Sequence, residues 1–182
     1  MASFSTLTER INITVRLMIP YAFMAVLFLL NVVAVPYPLS GFVKAPLFLA
    51  GIYYWAIYRP TLIPPWLAFI AGCLMDILSG LPIGMNALVF VATHWTVADQ
   101  RRFLMGQSFV MIWIGFSLLV MIVGVVQWIL FGLVNLHWLP PGSMLMSSVL
   151  GVVIFPLISI ILHLTHKILP APHPSMRFNS QS

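Results

Sequence analysis

Charged side chains are scarce in this chain, and acidic ones are nearly absent. Only 6% of the residues are charged, and the acidic ones are Glu9, Asp76 and Asp99. A soluble domain carries about 25% charged residues, so this chain has too few to cover a surface exposed to water. With 62% hydrophobic residues and a mean hydropathy of +1.07, most side chains are expected to face lipid.

Cysteine and recognisable catalytic motifs are missing as well. The single cysteine, Cys73, excludes an internal disulfide and a cysteine metal cluster, and its apolar neighbours indicate a packing residue. The chain has no HExxH, Gly-x-Ser-x-Gly or P-loop motif, and no second carboxylate to pair with Asp76. We therefore expect no enzymatic activity, cofactor or metal. The net charge of +5 comes from scattered basic residues, which does not favour nucleic-acid binding.

Long apolar runs fill the chain instead, separated by proline, glycine and arginine. A membrane-spanning helix needs about 20 apolar residues. The pattern predicts an all-α, polytopic membrane bundle of six transmembrane helices, at 17–35, 43–58, 62–79, 83–98, 106–134 and 144–166. The second and fourth are short, about 24 Å each as helices. The fifth is long, so we expect it to tilt or to begin as an interfacial helix near Phe103.

Basic residues predict the direction of these helices. With the N-terminus in the cytoplasm, only Lys44 lies in an outside loop, and every other basic residue lies inside. Such a bias follows the positive-inside rule. We expect an uncleaved first helix and both termini in the cytoplasm. The predicted parts are a cytoplasmic N-terminal segment (1–16), a six-helix transmembrane domain (17–168) and a flexible cytoplasmic tail (169–182).

Asp76 is the one acidic residue inside an apolar segment. A carboxylate at mid-bilayer costs roughly 2.5–3.5 kcal/mol on insertion scales. Asp76 and Asn86 each lie five residues from Leu81, so an antiparallel helical hairpin would place them at similar depth, where Asn86 can donate a hydrogen bond to the carboxylate. We favour this structural role, with Lys44 as a second partner. Proton or cation transport and catalysis are the alternatives.

Two small-residue faces are candidates for packing against a partner helix or for packing within the bundle, because such residues allow close approach in lipid. One face carries Gly72, Asp76, Ser79 and Gly80, and the other carries Ser117 and Gly124; Gln127 is expected to bond within the bundle. His94 is expected at the membrane interface beside Trp95, and His163 and His166 at a cationic helix end. The structural or partner-binding candidates are Arg59, Pro60, Gly72, Asp76, Ser79, Gly80, Pro82, Gly84, Asn86, Ser117 and Gly124.

The region from Pro46 to Arg102 carries a recognisable set of residues: Pro46, Tyr53-Tyr-Trp55, Arg59-Pro60, Pro65, Gly72-Cys-Leu-Met-Asp76, Gly80-Leu-Pro-Ile-Gly84, Ala87 and Arg101-Arg102. With these residues the chain resembles the bacterial rod shape-determining protein family MreD. The stretch from Asp76 to Gly84 is moderately specific, and the remainder is mainly hydrophobicity and spacing. The chain length and the six-segment pattern also fit.

The resemblance implies a multi-pass, non-enzymatic scaffold in the inner membrane that belongs to the cell-elongation complex (elongasome) and supports lateral peptidoglycan synthesis and rod shape. The implied partners are an MreC-like bitopic protein and, indirectly, an MreB-like filament, a RodA-like glycosyltransferase and a class B penicillin-binding transpeptidase. It also implies a fold similar to the S-components of energy-coupling-factor transporters. A substrate-binding subunit of a vitamin or small-molecule transporter is therefore the alternative function, although the first helix lacks the small residues at i and i+4 that S-components use for docking.

Overall fold

The computed structural model describes residues 18–32, 35–37, 41–43, 45–136 and 141–168, with side-chain placement at 18–32, 45–136 and 141–165. Within these ranges the chain forms six helices and one short pair of strands. The elements in chain order are α1 (Met18–Val32), β1 (Val35–Tyr37), β2 (Gly41–Val43), α2 (Leu47–Tyr58), α3 (Pro65–Ser79), α4 (Met85–Leu104), α5 (Phe109–Asn135) and α6 (Pro141–Ile168). The expected helical class is confirmed, and Lys44 and the segments 1–16 and 169–182 lie outside the described residues.

A short antiparallel pair of strands follows α1. β1 and β2 pair antiparallel, with Val35 opposite Val43 and Pro36 opposite Phe42. Proline disfavours helical backbone at the preceding residue and has no N–H for a helical hydrogen bond. Pro36 therefore lies in an extended segment after α1, so the first helix ends earlier than the predicted range 17–35.

Helix lengths differ from the predicted segments. Among the helices of the described ranges, only α5 and α6 are long and apolar enough to cross a membrane by length and composition. α2 has 12 residues, which is about 18 Å of helix and well short of a hydrocarbon core of about 30 Å. α4 continues to Leu104, so Phe103 belongs to its last turn and does not begin the fifth helix as an interfacial piece. Polar residues near its end, such as Gln100 and Arg102, are good helix formers. The helix therefore extends beyond the apolar segment.

α2 lies at the centre of the bundle. All residues from Phe48 to Ile57 are buried, which is typical of a helix that is apolar around its whole circumference. Tyr53 makes edge contacts with Phe116 of α5 and Phe155 of α6, with ring centroids 5.4 and 5.8 Å apart. The Tyr53 hydroxyl also donates to the Ile112 carbonyl at 3.0 Å. Aromatic packing of this kind holds α5 and α6 against the central helix.

α3 and α4 form an antiparallel hairpin, and Gly72 lets them approach closely. A Cβ added at Gly72 would lie 2.3 Å from the Ala87 Cα and 2.4 Å from its backbone nitrogen. Only glycine fits at this contact. We call the end of the bundle that holds the α3–α4 connection (80–84) the turn end, and the opposite end, which holds the connections 59–64 and 105–108, the loop end.

Candidate functional site

Asp76 lies in the last turn of α3 and is fully buried, with 0% of its surface exposed. Its carboxylate accepts three N–H groups. The Gly84 backbone N–H donates to Oδ2 at 2.9 Å, and the Asn86 backbone N–H donates to Oδ1 at 3.0 Å. The Asn86 side-chain amide donates to Oδ1 at 2.7 Å. The predicted pairing of Asp76 with Asn86 is therefore confirmed.

These bonds make Asp76 the N-terminal cap of α4. The first N–H groups of any helix lack partners within the helix and carry a partial positive charge. The residue that precedes α4 is Gly84, which has no side chain with which to cap the helix. Asp76 supplies the missing acceptor from the neighbouring helix. The sequence alone predicted the side-chain contact, but the two backbone bonds depend on where α4 begins.

The connection between α3 and α4 needs glycine at two positions. Gly80 has φ +64° and Gly84 has φ +102°, in the region that favours glycine. The Leu81 N–H donates to the Asp76 carbonyl at 2.9 Å, and the Gly80 N–H to the Ile77 carbonyl at 3.3 Å, a Schellman arrangement that satisfies the last carbonyls of α3. Asp76 thus ends one helix with its backbone and caps the next with its side chain.

Gln127 extends the hydrogen-bond network from the hairpin to α5. Its side-chain N–H donates to the Asn86 Oδ1 at 2.9 Å, which confirms the expected bond within the bundle. Asp76, Asn86 and Gln127 therefore form a chain of paired polar groups across three helices. Polar groups inside a membrane bundle are costly unless they are paired, and they mark positions under functional or structural demand.

Two adjacent cavities, of about 280 and 130 Å³, lie beside this network at the turn end. Their walls share Pro46, Leu81, Met85, Val123 and Gln127. The smaller cavity adds polar groups from Asn31, Ser79 and Asn86. The larger one adds Ser143, Ser147 and Ser148 of α6. We call the two together the turn-end cavity, and its wall is richer in hydrogen-bonding groups than the sequence indicated.

Asn31 is a site residue that was not identified from the sequence. Its Oδ1 accepts the Phe48 N–H at 3.1 Å, and its Nδ2 lies 3.3 Å from the Met75 sulfur. It therefore connects α1 to the start of α2 and to α3. An asparagine near the end of an otherwise apolar first segment was the available signal, because an amide in lipid needs a partner.

The structure places the two predicted docking faces largely inside the molecule. Gly72 and Asp76 are buried against α4, while Ser79 is partly buried and Gly80 is exposed. On the second face, a Cβ at Gly124 would lie 2.8 Å from the Ser148 hydroxyl of α6. Ser117 bonds the Trp113 carbonyl of its own helix at 2.8 Å. Close approach at Gly72 and Gly124 thus serves contacts within the chain.

Two other candidates, Arg59 and Pro60, lie at the loop end, far from Asp76 along α3. The Arg59 N–H donates to the Trp55 carbonyl at 2.8 Å, and the Arg59 carbonyl accepts the Leu62 N–H at 3.0 Å. They shape the connection between α2 and α3. Pro82, by contrast, belongs to the turn end, where its carbonyl accepts the Met85 N–H at 3.2 Å.

The side chain of His94, which the sequence predicts at the membrane interface, points into the bundle. It is only 4% exposed, whereas its neighbour Trp95 is 75% exposed. Neither ring nitrogen of His94 makes a hydrogen bond of normal geometry to a described residue, although the backbone of Pro60 and Ile63 lies near it. The position one residue before an exposed tryptophan turns inward because successive residues on a helix point about 100° apart. In the described part of the chain no three His, Cys, Asp or Glu side chains converge as metal ligands.

Comparison with known proteins gives one result. A protein-family model described as rod shape-determining protein MreD matches residues 11–165 of the chain. The matched range includes the α3–α4 hairpin, Gln127 and the whole turn-end cavity. No curated protein and no solved structure matches the chain.

Proposed function

Since the chain belongs to the MreD family of rod shape-determining membrane proteins, we propose that it is a non-enzymatic scaffold of the bacterial cell-elongation complex. In this proposal it supports lateral peptidoglycan synthesis by binding an MreC-like bitopic partner, and through it the MreB-like filament, the RodA-like glycosyltransferase and the penicillin-binding transpeptidase. Family membership supports the role in rod shape. The paired polar network, which has no reactive group left open, favours architecture over catalysis.

The proposed topology has six membrane-embedded helices in the inner membrane, with both termini in the cytoplasm. Arg59, Arg101 and Arg102 all lie at the loop end, which supports a cytoplasmic loop end. The shortness of α2 is compatible with this topology because its residues are buried among other helices and do not need to match the bilayer. Reporter fusions at 105–108 and after 168 test it: cytoplasmic activity at both is expected, and periplasmic activity at either would contradict the topology.

The observation that carries the partner proposal is the convergence of polar groups on the turn-end cavity, at the end away from the arginines. A polypeptide segment has an N–H and a C=O at nearly every residue, and these groups need partners when they are buried. The cavity wall offers amides and hydroxyls beside apolar surface, which suits such a segment. We propose that a membrane-proximal segment of the partner binds here, and that Asp76 holds the turn in the shape it recognises.

Site-specific photo-crosslinking tests this placement in cells that produce the full chain. Probes at Leu81, Met85 and Phe131, which line the cavity, are expected to capture the MreC-like partner. Matched probes at the exposed Trp66, Phe69 and Phe103 near the loop end serve as controls for random collision. Capture of the partner only from the control positions would contradict the proposed site. Further probes placed along every helix would locate the surface against which the partner's transmembrane helix docks.

The same cavity supports a second candidate function, a small-molecule-binding subunit similar to the S-components of energy-coupling-factor transporters. Convergent polar groups in an apolar pocket are typical of ligand sites. Equilibrium binding of vitamins to the purified protein separates the two functions. The scaffold proposal expects no saturable binding, whereas saturable binding lost in Gln127→Leu would favour the transporter subunit.

A further inference from the structure

A second cavity, of about 380 Å³, lies between α4 and α5 on the outside of the bundle. Its floor is Tyr53 of the central helix. Its walls are mostly apolar, and they add the hydroxyl groups of Thr93 and Thr96 and the amide of Gln100. We call it the α4–α5 groove. Val123 lines both this groove and the turn-end cavity, but no residue of the groove belongs to the Asp76 hydrogen-bond network.

The α4–α5 groove follows α4 from Leu88 past the polar Gln100 to Leu104. Sixteen residues of helix cover about 24 Å. One leaflet of a hydrocarbon core about 30 Å thick is about 15 Å deep. The part of the groove between Leu88 and Gln100 is therefore long enough for an acyl chain of one leaflet.

Charges of both signs lie beside the polar end of this groove. Gln100 lines the groove, with Asp99 before it and Arg101 after it in the sequence. Residues two positions apart on a helix do not face each other, so Asp99 and Arg101 lie on opposite sides of Gln100. Arg101 shares a helical stripe with Val97 and Leu104, which also line the groove, and its Nε is buried without a hydrogen-bond partner among the described residues. Asp99 is exposed and shares the opposite stripe with Ala92.

We propose that the α4–α5 groove binds one phospholipid with a zwitterionic headgroup that carries a primary ammonium, of the phosphatidylethanolamine class. The acyl chain lies along the groove over Tyr53. The phosphate lies at the side of Arg101, whose guanidinium suits phosphate geometry. The ammonium donates to the Asp99 carboxylate. A phosphatidylglycerol headgroup would leave Asp99 facing a negative lipid, and a phosphatidylcholine headgroup has no N–H to donate.

Native mass spectrometry of the full-length, delipidated protein tests this proposal. The protein is titrated with phosphatidylethanolamine, phosphatidylglycerol and phosphatidylcholine that carry the same acyl chains. One phosphatidylethanolamine is expected to be retained about fivefold better than either of the others, since a basic or acidic group near a headgroup contributes about 1 kcal/mol. Equal retention of the three lipids would overturn the proposal.

Substitutions of Asp99 and Arg101 test the contributions of the two charged side chains separately. Asp99→Asn is expected to remove the preference for phosphatidylethanolamine over phosphatidylglycerol. Arg101→Gln is expected to weaken both lipids about fivefold, and Arg101→Lys is expected to restore most of the binding. If Asp99→Asn left the preference unchanged, the assignment of the ammonium to Asp99 would be wrong.

Groove variants test where the acyl chain lies. Ile122 lines the groove and is 55% exposed, while Leu157 of α6 is similarly exposed, at 61%, and lies elsewhere. Ile122→Trp fills the groove and is expected to abolish lipid retention, whereas Leu157→Trp is expected to leave it unchanged. A photo-probe at Leu118, also in the groove, is expected to crosslink to lipid. Crosslinking to a second copy of the chain or to a partner helix would overturn the lipid assignment.

Discussion

The two ends of the bundle treat their polar side chains differently. At the turn end, Asp76, Asn86 and Gln127 are paired with one another or with backbone groups. At the loop end, the Tyr54 hydroxyl, both His94 nitrogens and the Arg101 Nε are buried without a hydrogen-bond partner among the described residues. A polar side chain that makes hydrogen bonds is held in one position by them. A polar side chain without a partner gains no hydrogen-bond energy from staying in place. The described polar side chains of the turn end are therefore held by more hydrogen bonds than those of the loop end.

This difference in hydrogen bonding agrees with a protein partner at the turn end and lipid headgroups at the loop end. A surface that recognises a partner benefits from a shape that is set before binding, because less ordering entropy is lost on association. An end that faces lipid headgroups has mobile donors and acceptors available from the headgroups and from interfacial water, so its polar side chains need fewer partners within the protein. Substitutions at the two ends should consequently differ in their cost.

The largest expected effect is that of Asp76→Ala. This change leaves three N–H groups of the α3–α4 hairpin without an acceptor in a buried position, and we expect a loss of about 3–5 kcal/mol in unfolding free energy. Thermal unfolding in detergent, protein yield, partner capture and rescue of cell shape measure it. The exposed Asn135 offers a control outside both proposed sites, and Asn135→Ala is expected to be near neutral. Normal yield, partner capture and cell shape in Asp76→Ala would show that the turn end does not depend on this carboxylate.

A somewhat smaller effect is expected for Gly72→Ala. The added Cβ meets backbone atoms of Ala87, so α3 and α4 must separate at a cost of about 1–3 kcal/mol. Unfolding temperature and crosslinking between α3 and α4 report the change. The same substitution at Gly106, where the nearest atom would lie 3.6 Å away, is expected to be tolerated. Equal tolerance at both positions would mean that the hairpin is not tightly packed.

The Gln127–Asn86 bond tests whether the network reaches α5. Gln127→Leu is expected to cost about 0.6–1.7 kcal/mol, the range measured for hydrogen bonds between membrane helices. A double-mutant cycle with Asn86→Ala isolates the pair, and a coupling energy in that range is expected. A coupling near zero would confine the hydrogen-bond network to the α3–α4 hairpin.

The smallest effect is expected at the loop end, for His94→Leu. Removing a buried polar group that has no hydrogen-bond partner of normal geometry releases its desolvation cost, so unfolding free energy should be unchanged or rise by up to about 1 kcal/mol. Thermal unfolding measures it beside His163→Leu, a change at an exposed histidine. A loss comparable to that of Asp76→Ala would remove the contrast between the two ends.

Parts of the candidate site could be predicted because they depend on local spacing. Asp76 and Asn86 are equidistant from Leu81, and a hairpin has to place them at one depth. The capping role of Asp76 could not be predicted, because it requires knowing that α4 begins at Met85 and that Gly84 cannot cap it. Asn31 joins the site through contacts with Phe48 and Met75, which are distant in the chain.

Burial was harder to predict than helix formation. A segment that is apolar at every position, such as 47–58, has no periodicity to show which face is inside, so the central place of α2 was not visible. His94 and its neighbour Trp95 were treated together, yet their side chains point in different directions on α4, and only that of His94 is buried. The small-residue faces were recognised correctly as sites of close approach, but spacing alone could not tell an internal neighbour from a partner.

Composition and the placement of charges suffice to establish a helical membrane protein with one acidic group in an apolar segment, because lipid excludes charge whatever the fold. Local spacing adds the Asp76–Asn86 pair, since it depends only on one turn. The packing of distant helices decides everything else: α2 at the centre, Gly72 and Gly124 turned inward, and Gln127 and Asn31 brought to the same cavity. These choices rest on shape and hydrogen bonding between segments, and in lipid the hydrophobic effect does not select among them.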